Sequence, residues 1–506
     1  MKKTRFIALA AILAWGCGGS VKNEGDGDTD ATTDVPTEMT GDVETDVDED
    51  GETDVSVPDG GDDVVADTPA DTEPDGTGCT DGELRCSSDG RAVEECVDGA
   101  WESTACTFGC TDTPDVHCMA WDISNIPDDS LLSLGEDYCG DPWPSDTDAT
   151  YEMRMDTDTG QIDVYEFTDG WTHVLEIRPA DRGLNPESCI GFTVVDQGTD
   201  LPELGVFSFQ QLDVPANYVV TAYGSRPMVL LSEDAATIAG GVYAGCNWRD
   251  TETYGGAVRS DEGPGAGGAG DSMSASTGFR DGGGGGGAFG GAGGTGGGYD
   301  TSIRGAGGAT YGTPELIPLL AGSGGGQGGG DGDGRWGGRS GGAVMIASGD
   351  TLTITGWVDA SGCGGRTASG NEGGGGGGSG GGIILESPAL VITGGVSANG
   401  GGGGSGGRDG ENGEDGLVDS DTAAAGGTAS TTYTMTCDGG DGNGGGGADG
   451  ADAPTCDTSE DDYNAGGGGG GSGIIRLNGE ARVLTDALLS PDPSSGACTE
   501  SGLTIG

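Results

Sequence analysis

The chemistry this chain can offer is concentrated in its 14 cysteines, its acidic turns and its two histidines. Six of the cysteines, Cys79, Cys86, Cys96, Cys106, Cys110 and Cys118, crowd into residues 79–118. So short a segment cannot bury a sufficient apolar core, so the thiols are expected to pair as disulfide staples, with the connectivity left open. The competing chemistry is zinc ligation by Cys106, Cys110 and His117, but paired C-x2-C knuckles are missing. Cys139, Cys189 and Cys246 offer further bridges, and an odd cysteine is expected to remain once Cys17 is set aside.

The carboxylates are too numerous for sequence proximity alone to mark a site. Asp46, Asp48, Asp50, Gly51 and Asp54 fall at calcium-loop positions, but Val57 stands where a bidentate carboxylate is needed. In "DTDTG" (156–160), Asp156 and Asp158 either share an ion or close an Asx turn, and the turn is expected. "GGDGDG" (329–334) and "DGGDGNGGGGADGAD" (438–452) lack the nonapeptide register of calcium-binding repeats. The patterns call for no cofactor and no specific metal site, and calcium is the one ion these turns would suit. His173, beside Trp171, is expected to be a surface or packed histidine. H-E-x-x-H does not occur, no G-x-S-x-G nucleophile elbow appears, and no phosphate loop joins a strand to a helix, so no catalytic residue is assigned. Trp357, Arg366 and Tyr433 are the sparse candidates for a polysaccharide-degrading site.

The N-terminus is Lys2, Lys3 and Arg5, the apolar run "FIALAAILAW", then Gly16 and Cys17. The run is too short for a mature membrane span and reads as an export signal over 1–16. "LAWGC" resembles the lipobox of bacterial lipoproteins, although Ala14 and Trp15 depart from its commonest form. The resemblance implies lipidation at Cys17, and Gly18 after it implies sorting to the outer membrane. Residues 22–76 hold 21 Asp or Glu and one Lys. Too little apolar surface offsets chain entropy there, so 17–78 is expected to be an acidic, disordered tether. The formal charge of −65 argues against nucleic-acid partners.

Beyond the cysteine module (79–118), residues 119–230 read as a compact β domain through runs such as "QIDVYEF", "THVLEI", "LGVFSF" and "NYVVTAY". Residues 231–490 carry a repeat. "GGAVMIASGDTLTITGWVDASG" (341–362) returns as "GGGIILESPALVITGGVSANG" (380–400), matching Leu352, Ile354, Val358 and Ala360 to Leu390, Ile392, Val396 and Ala398. Alternating apolar residues with a corner at Gly356 or Gly394 describe stacked rungs, with Ile238, Val242 and Ala244 as a third copy. A weaker fourth copy runs from Ile474 to Leu488, where it would act as a cap, and 491–506 form a tail. The expected fold is therefore all-β, an irregular parallel β-helix or β-roll, with one irregular sandwich as the alternative. The glycine-rich insertions, with 13 Gly in residues 282–298, are expected to be mobile loops, although polyproline-II-like backbone stacking is open to them. Amid them, Leu316, Ile317, Leu319 and Leu320 are expected to dock back as a clasp.

The cysteine module resembles short units of surface lipoproteins from predatory and myxobacterial-type bacteria. Lipobox, tether, module and the "GTPELIPLLAGSGGG" and repeat segments together resemble uncharacterised glycine-rich, PE-PGRS-like lipoproteins of myxobacterial-type deltaproteobacteria, though this chain lacks the PE-type N-terminus. That family carries no established activity, so it transfers no catalytic roles. The expectation is a non-enzymatic, lipid-anchored protein of the outer membrane or cell surface, with a structural, adhesion or display role. Its partners would be the membrane and extracellular polysaccharide or other surface proteins. A carbohydrate-binding module is the alternative, and a polysaccharide-degrading β-helix enzyme a more distant one.

Overall fold

In the computed structural model the described residues are 79–88, 92–105, 110–111, 116–118, 122–127, 149–247, 253–275, 278–330, 336–368, 370, 372–416, 422–430, 439–440, 449–454 and 463–503. The segments expected to be an export signal and a tether, with Cys17, and Tyr433 lie outside them. The described elements are β-strands, with one 3-10 turn at Pro493–Ser495. Among the described residues no helix is long and apolar enough to cross a membrane.

The chain divides into two compact units. The first contains residues 79–82 and 96–101, where the Cys79–Cys96 disulfide and the Gly82 N–H to Cys96 carbonyl bond replace an apolar core. The second contains 83–95 and 102–506, including the Cys86–Cys110 disulfide. Strands Leu84–Cys86, Ala92–Val97 and Ala100–Ala105 form a small three-stranded sheet ahead of the larger β region.

The larger region is built from strand triplets. The first is Leu204–Phe209, Leu212–Val214 and Tyr218–Tyr223; the second is Met228–Ser232, Ala236–Ile238 and Gly241–Tyr243. The third is Ala343–Ser348, Thr351–Ile354 and Trp357–Asp359; the fourth is Gly382–Glu386, Ala389–Ile392 and Gly395–Ser397. The fifth is Ile474–Asn478, Ala481–Val483 and Leu488–Ser490. Each strand pairs in parallel with its counterpart in the next triplet, so three sheets run side by side through the region.

Register aligns like with like. Phe207, Leu230, Ile346, Leu385 and Leu477 make one inward column. Val214, Ile238, Ile354 and Ile392 make a second, and Val220, Val242, Val358, Val396 and Leu489 a third. Leu352 opposes Leu390, and both are fully buried in the shared core. The alternation read from sequence buries one face of the second strand in each of the first four triplets, where a register slip of one residue would expose a whole column, whereas the first strands of those triplets are buried on both faces. Gly240, Gly356 and Gly394 stack at one corner, where a Cβ on Gly356 would lie 1.7 Å from the Gly240 carbonyl oxygen. Close approach of successive triplets, rather than an unusual φ, requires glycine there.

Parallel pairing reaches back beyond Leu204, since Tyr218–Tyr223 also pairs in parallel with Thr150–Asp156, all within the segment read as a separate β domain. Upstream, Thr150–Asp156, Ile162–Phe167 and Trp171–Arg178 extend one sheet, and Gly183–Leu184 and Gly191–Val195 extend another, mostly as antiparallel pairs. Arg178 closes this end from inside. It is 1% exposed, and its guanidinium donates to the carbonyls of Gly160, Pro179, Asp181, Gly183 and Ile190. Burial lowers its pKa, and Asp181 opposes that shift.

The glycine-rich insertions are not loose loops. Residues 282–289 are buried among other glycine segments and follow a period of three. Gly283 and Gly286 donate to Gly297 and Gly294; Gly284 and Gly287 donate to Gly374 and Gly377; Gly285 and Ala288 donate to Gly268 and Gly265. The carbonyls of Gly283 and Gly286 accept from Gly305 and Gly308, those of Gly284 and Gly287 from Gly468 and Gly471, and those of Gly285 and Gly282 from Gly326 and Gly329. One strand of backbone thus bonds to six neighbours in rotation. That is the geometry of a three-residue turn of polyproline-II type, in which successive N–H groups point to three different sides. A Cβ on Gly283 would lie 1.8 Å from the Gly466 oxygen, and one on Gly285 would lie 1.9 Å from the Ala306 oxygen. Only hydrogen fits between these segments, so the expectation of mobile loops is corrected for the described insertions.

Candidate functional site

The outward face of the antiparallel strands gathers the most accessible chemistry. Tyr165 opposes His173, and Phe167 opposes Trp171, with ring centroids 5.3 and 5.1 Å apart. Asp163 and Glu176, two residue pairs along, share the Gln161 amide at 3.0 and 3.3 Å. His173 Nε2 lies 2.9 Å from Asp163 Oδ1, and the histidine ring is half exposed. His173 is therefore an oriented surface histidine. Arg154 lies 4.0 Å above the Tyr165 ring and 5.1 Å from that of Tyr223, and it bonds Glu152 at 2.9 Å. Burial opposes the Arg154 charge, but Glu152, Tyr223 and Tyr165 together outweigh it, so its pKa is raised.

This row continues inward as structure. Tyr254 packs 4.9 Å from Tyr223 and 5.9 Å from Tyr243, and Trp357 lies 6.1 Å from Tyr243. Trp357 covers Gly241, where an added Cβ would meet its ring at 2.3 Å. Arg366 sits apart, among the packed glycine segments, here called the bundle, where its carbonyl accepts from Gly375. The two candidates are thus divided between the β face and the bundle.

The turn at Asp156 is an Asx turn: its Oδ1 accepts from the N–H groups of Asp158 and Thr159 at 2.8 and 3.0 Å. Asp158 instead pairs with Arg226 at 2.8 Å and accepts from Ser225. The acids of the glycine insertions also serve the backbone. Asp449 and Asp452 accept from Ala292 and Thr295 at 2.8 and 2.7 Å, while Asp415 and the neutral amide of Asn412 accept from Gly364 and Thr367 at 2.9 Å. Both sets are spaced by three, so side-chain oxygens replace missing neighbours at the bundle's rim.

Cys246, Cys363 and Asp415 bring possible metal donors within 4.8 Å of one another. The two sulfurs are joined as a disulfide, so their lone pairs are not thiolate ligands and the group does not fit a metal in this state. Next to it Tyr243 donates to the Cys246 carbonyl at 2.7 Å, and burial, with Asp359 and Asp415, pushes its pKa up. Asp359, 1% exposed, accepts from Ser361 and Ser397 at 2.6 and 2.7 Å. Sequence did not single out this polar ladder; Asp359 and Ser361 flank a matched alanine of the repeat.

The clasp docks as expected through Leu316 and Leu319, which are fully buried against Val229, Met345 and Ile384 on the outer side of a stack sheet. Ile317, in contrast, is 55% exposed. A cavity of about 210 Å³ opens beside the clasp, lined by Phe289, Tyr311, Thr313, Pro314, Ile474 and Ala497. Another of about 120 Å³ lies by Glu315, Glu386, Arg476 and Asn478. There Glu386 accepts from Ser124 and Asn478 at 3.3 and 3.2 Å, tying the incoming chain to the stack. Cys498 is the free thiol among the described residues; burial in the apolar core raises its pKa to about 12, which keeps it an inert thiol. No family model, curated protein or solved structure matches the chain.

Proposed function

We propose that this is a non-enzymatic, lipid-anchored surface protein with a structural or adhesion role. In this reading the parallel triplets wind as a β-helix, Cys17 carries the lipid, and 17–78 hold the head away from the outer membrane. The observation that carries the reading is the ordering of the glycine insertions: they are packed by backbone bonds against one another, with Phe289 and the clasp buried on the stack. Such a construction favours a stiff body over mobile loops, so the head itself, rather than its insertions, is the displayed object.

The test is surface presentation and attachment. Palmitate should label the wild type and not Cys17→Ala, and intact cells should lose both exposure of the head to added protease and attachment to a surface when Cys17 is replaced. Equal labelling or attachment by the variant would reject this reading.

One observation favours a second reading, carbohydrate binding: Tyr165, Phe167, Trp171 and His173 form adjacent rings beside Asp163 and Glu176 on an outer face. Rings that pack on sugar faces, with carboxylates to accept hydroxyls, suit a polysaccharide. Trp171→Ala should then abolish retardation in polysaccharide-containing gels, whereas Trp336→Ala, a half-exposed tryptophan on the bundle, should not.

A further inference from the structure

Backbone order in glycine is costly. Each residue loses on the order of 1–2 kcal/mol of conformational freedom, with glycine at the unfavourable end, whereas a hydrogen bond returns about 1 kcal/mol net. The glycine segments bury few side chains, so their own bonds do not clearly outweigh their ordering. Something must hold their ends together.

The Cys246–Cys363 bond is placed to do this. Cys246 follows the strand Gly241–Tyr243 and opens the first insertion, while Cys363 follows Trp357–Asp359 and opens the second. The bond closes 117 residues, the whole first insertion included. Cys363 is itself part of the bundle: its N–H donates to Arg339, its carbonyl accepts from Gly378, and its side chain is fully buried. A Cβ on Gly401 would lie 2.2 Å from the Cys363 oxygen, so the later glycine segment covers it closely. Asp415 then bonds Gly364 beside it.

We propose that the Cys246–Cys363 disulfide is an oxidative latch that closes the glycine bundle onto the parallel stack. The oxidant is a protein or small-molecule disulfide. One cysteine thiolate attacks it, forming a mixed disulfide and releasing one donor thiolate; the other cysteine thiolate then attacks the attached protein sulfur and expels the second. Two protein thiols lose two protons and two electrons, and the donor disulfide becomes a dithiol. Burial of Cys363 in the finished bundle sets the order: exchange precedes coverage by the later glycine segments.

The test compares full-length wild type with C246S/C363S, by proteinase K digestion mapped by mass spectrometry. The latch predicts cleavage in residues 253–330 faster by up to about three thousandfold, the order expected from opening a loop of this length. Cleavage within the stack strands 204–238 should stay at the wild-type rate, and C79S/C96S should leave the insertion as protected as in wild type. Unchanged protection of the insertion in C246S/C363S, or equal loss in insertion and stack, would overturn the proposal. In oxidative refolding with acid-quenched thiols, the bond should appear before the glycine amides become protected; the reverse order would also overturn it.

Discussion

In the parallel stack, Leu352 meets Leu390 and Ile354 meets Ile392, so each added triplet hides side chains that water would otherwise surround. In the bundle, Gly283 to Gly287 hide nothing of the kind; their N–H and carbonyl groups are satisfied by neighbouring backbone on every side. The difference teaches that burial and a core are separate things. A buried leucine gains from leaving water and tolerates some repacking. A buried glycine of the bundle gains by admitting a neighbour's backbone, and one methyl group removes that gain.

The sharpest way to break the comparison is therefore to add a carbon where none fits. Gly285→Ala would place its Cβ 1.9 Å from the Ala306 oxygen and should cost roughly 3 kcal/mol or more in urea denaturation. Gly170→Ala, with open space around its added carbon, should stay within about 1 kcal/mol of wild type. If the two behave alike, the bundle is not close packed.

Removing carbons from the stack comes next. Leu390→Ala, in the fully buried column, should cost about 2–5 kcal/mol, read as a lowered urea midpoint with unchanged slope. A smaller effect is expected at the bundle's rim, where Asp452→Ala takes the acceptor from the Thr295 N–H. A loss of about 1 kcal/mol is expected, with faster exchange of the Thr295 amide than of Gly286 deeper in. The smallest effect is a pH response outside both regions. Ser494 holds the exposed Asp492 carboxyl below its ordinary range, so its contribution is present at neutral pH and fades as pH falls through the folded-state value. Asp492→Asn should flatten the acid limb of the stability profile slightly; a steeper limb would contradict this sign.

The stack was legible because its columns repeat chemically. Leu352, Ile354, Val358 and Ala360 have partners of the same kind thirty-eight positions on in the sequence, and the pairing follows that match. The first triplet was hidden because Pro215 and Asn217 occupy its turn in place of the stacked glycine corner. Arg482, opposite Leu390, explains why the last copy looked weak: the column ends there. The clasp was legible through Leu316 and Leu319, apolar residues amid glycine. The bundle was not, because identical residues without side chains carry no information about which segment meets which. Nor does sequence join Cys246 to Cys363, since 117 residues of glycine-rich chain are indifferent to the pairing. At the outer face, "THVLEI" marked a strand, but only cross-strand register brings His173 to Asp163 and Tyr165.

The most direct test of the central claim is amide hydrogen exchange on the wild-type chain, resolved for residues 282–288. Backbone bonds to six surrounding segments predict exchange far slower than in a free glycine peptide, with protection comparable to Ile346 and Leu385 in the stack. Exchange of those glycine amides at free-peptide rates while the stack stays protected would contradict the account.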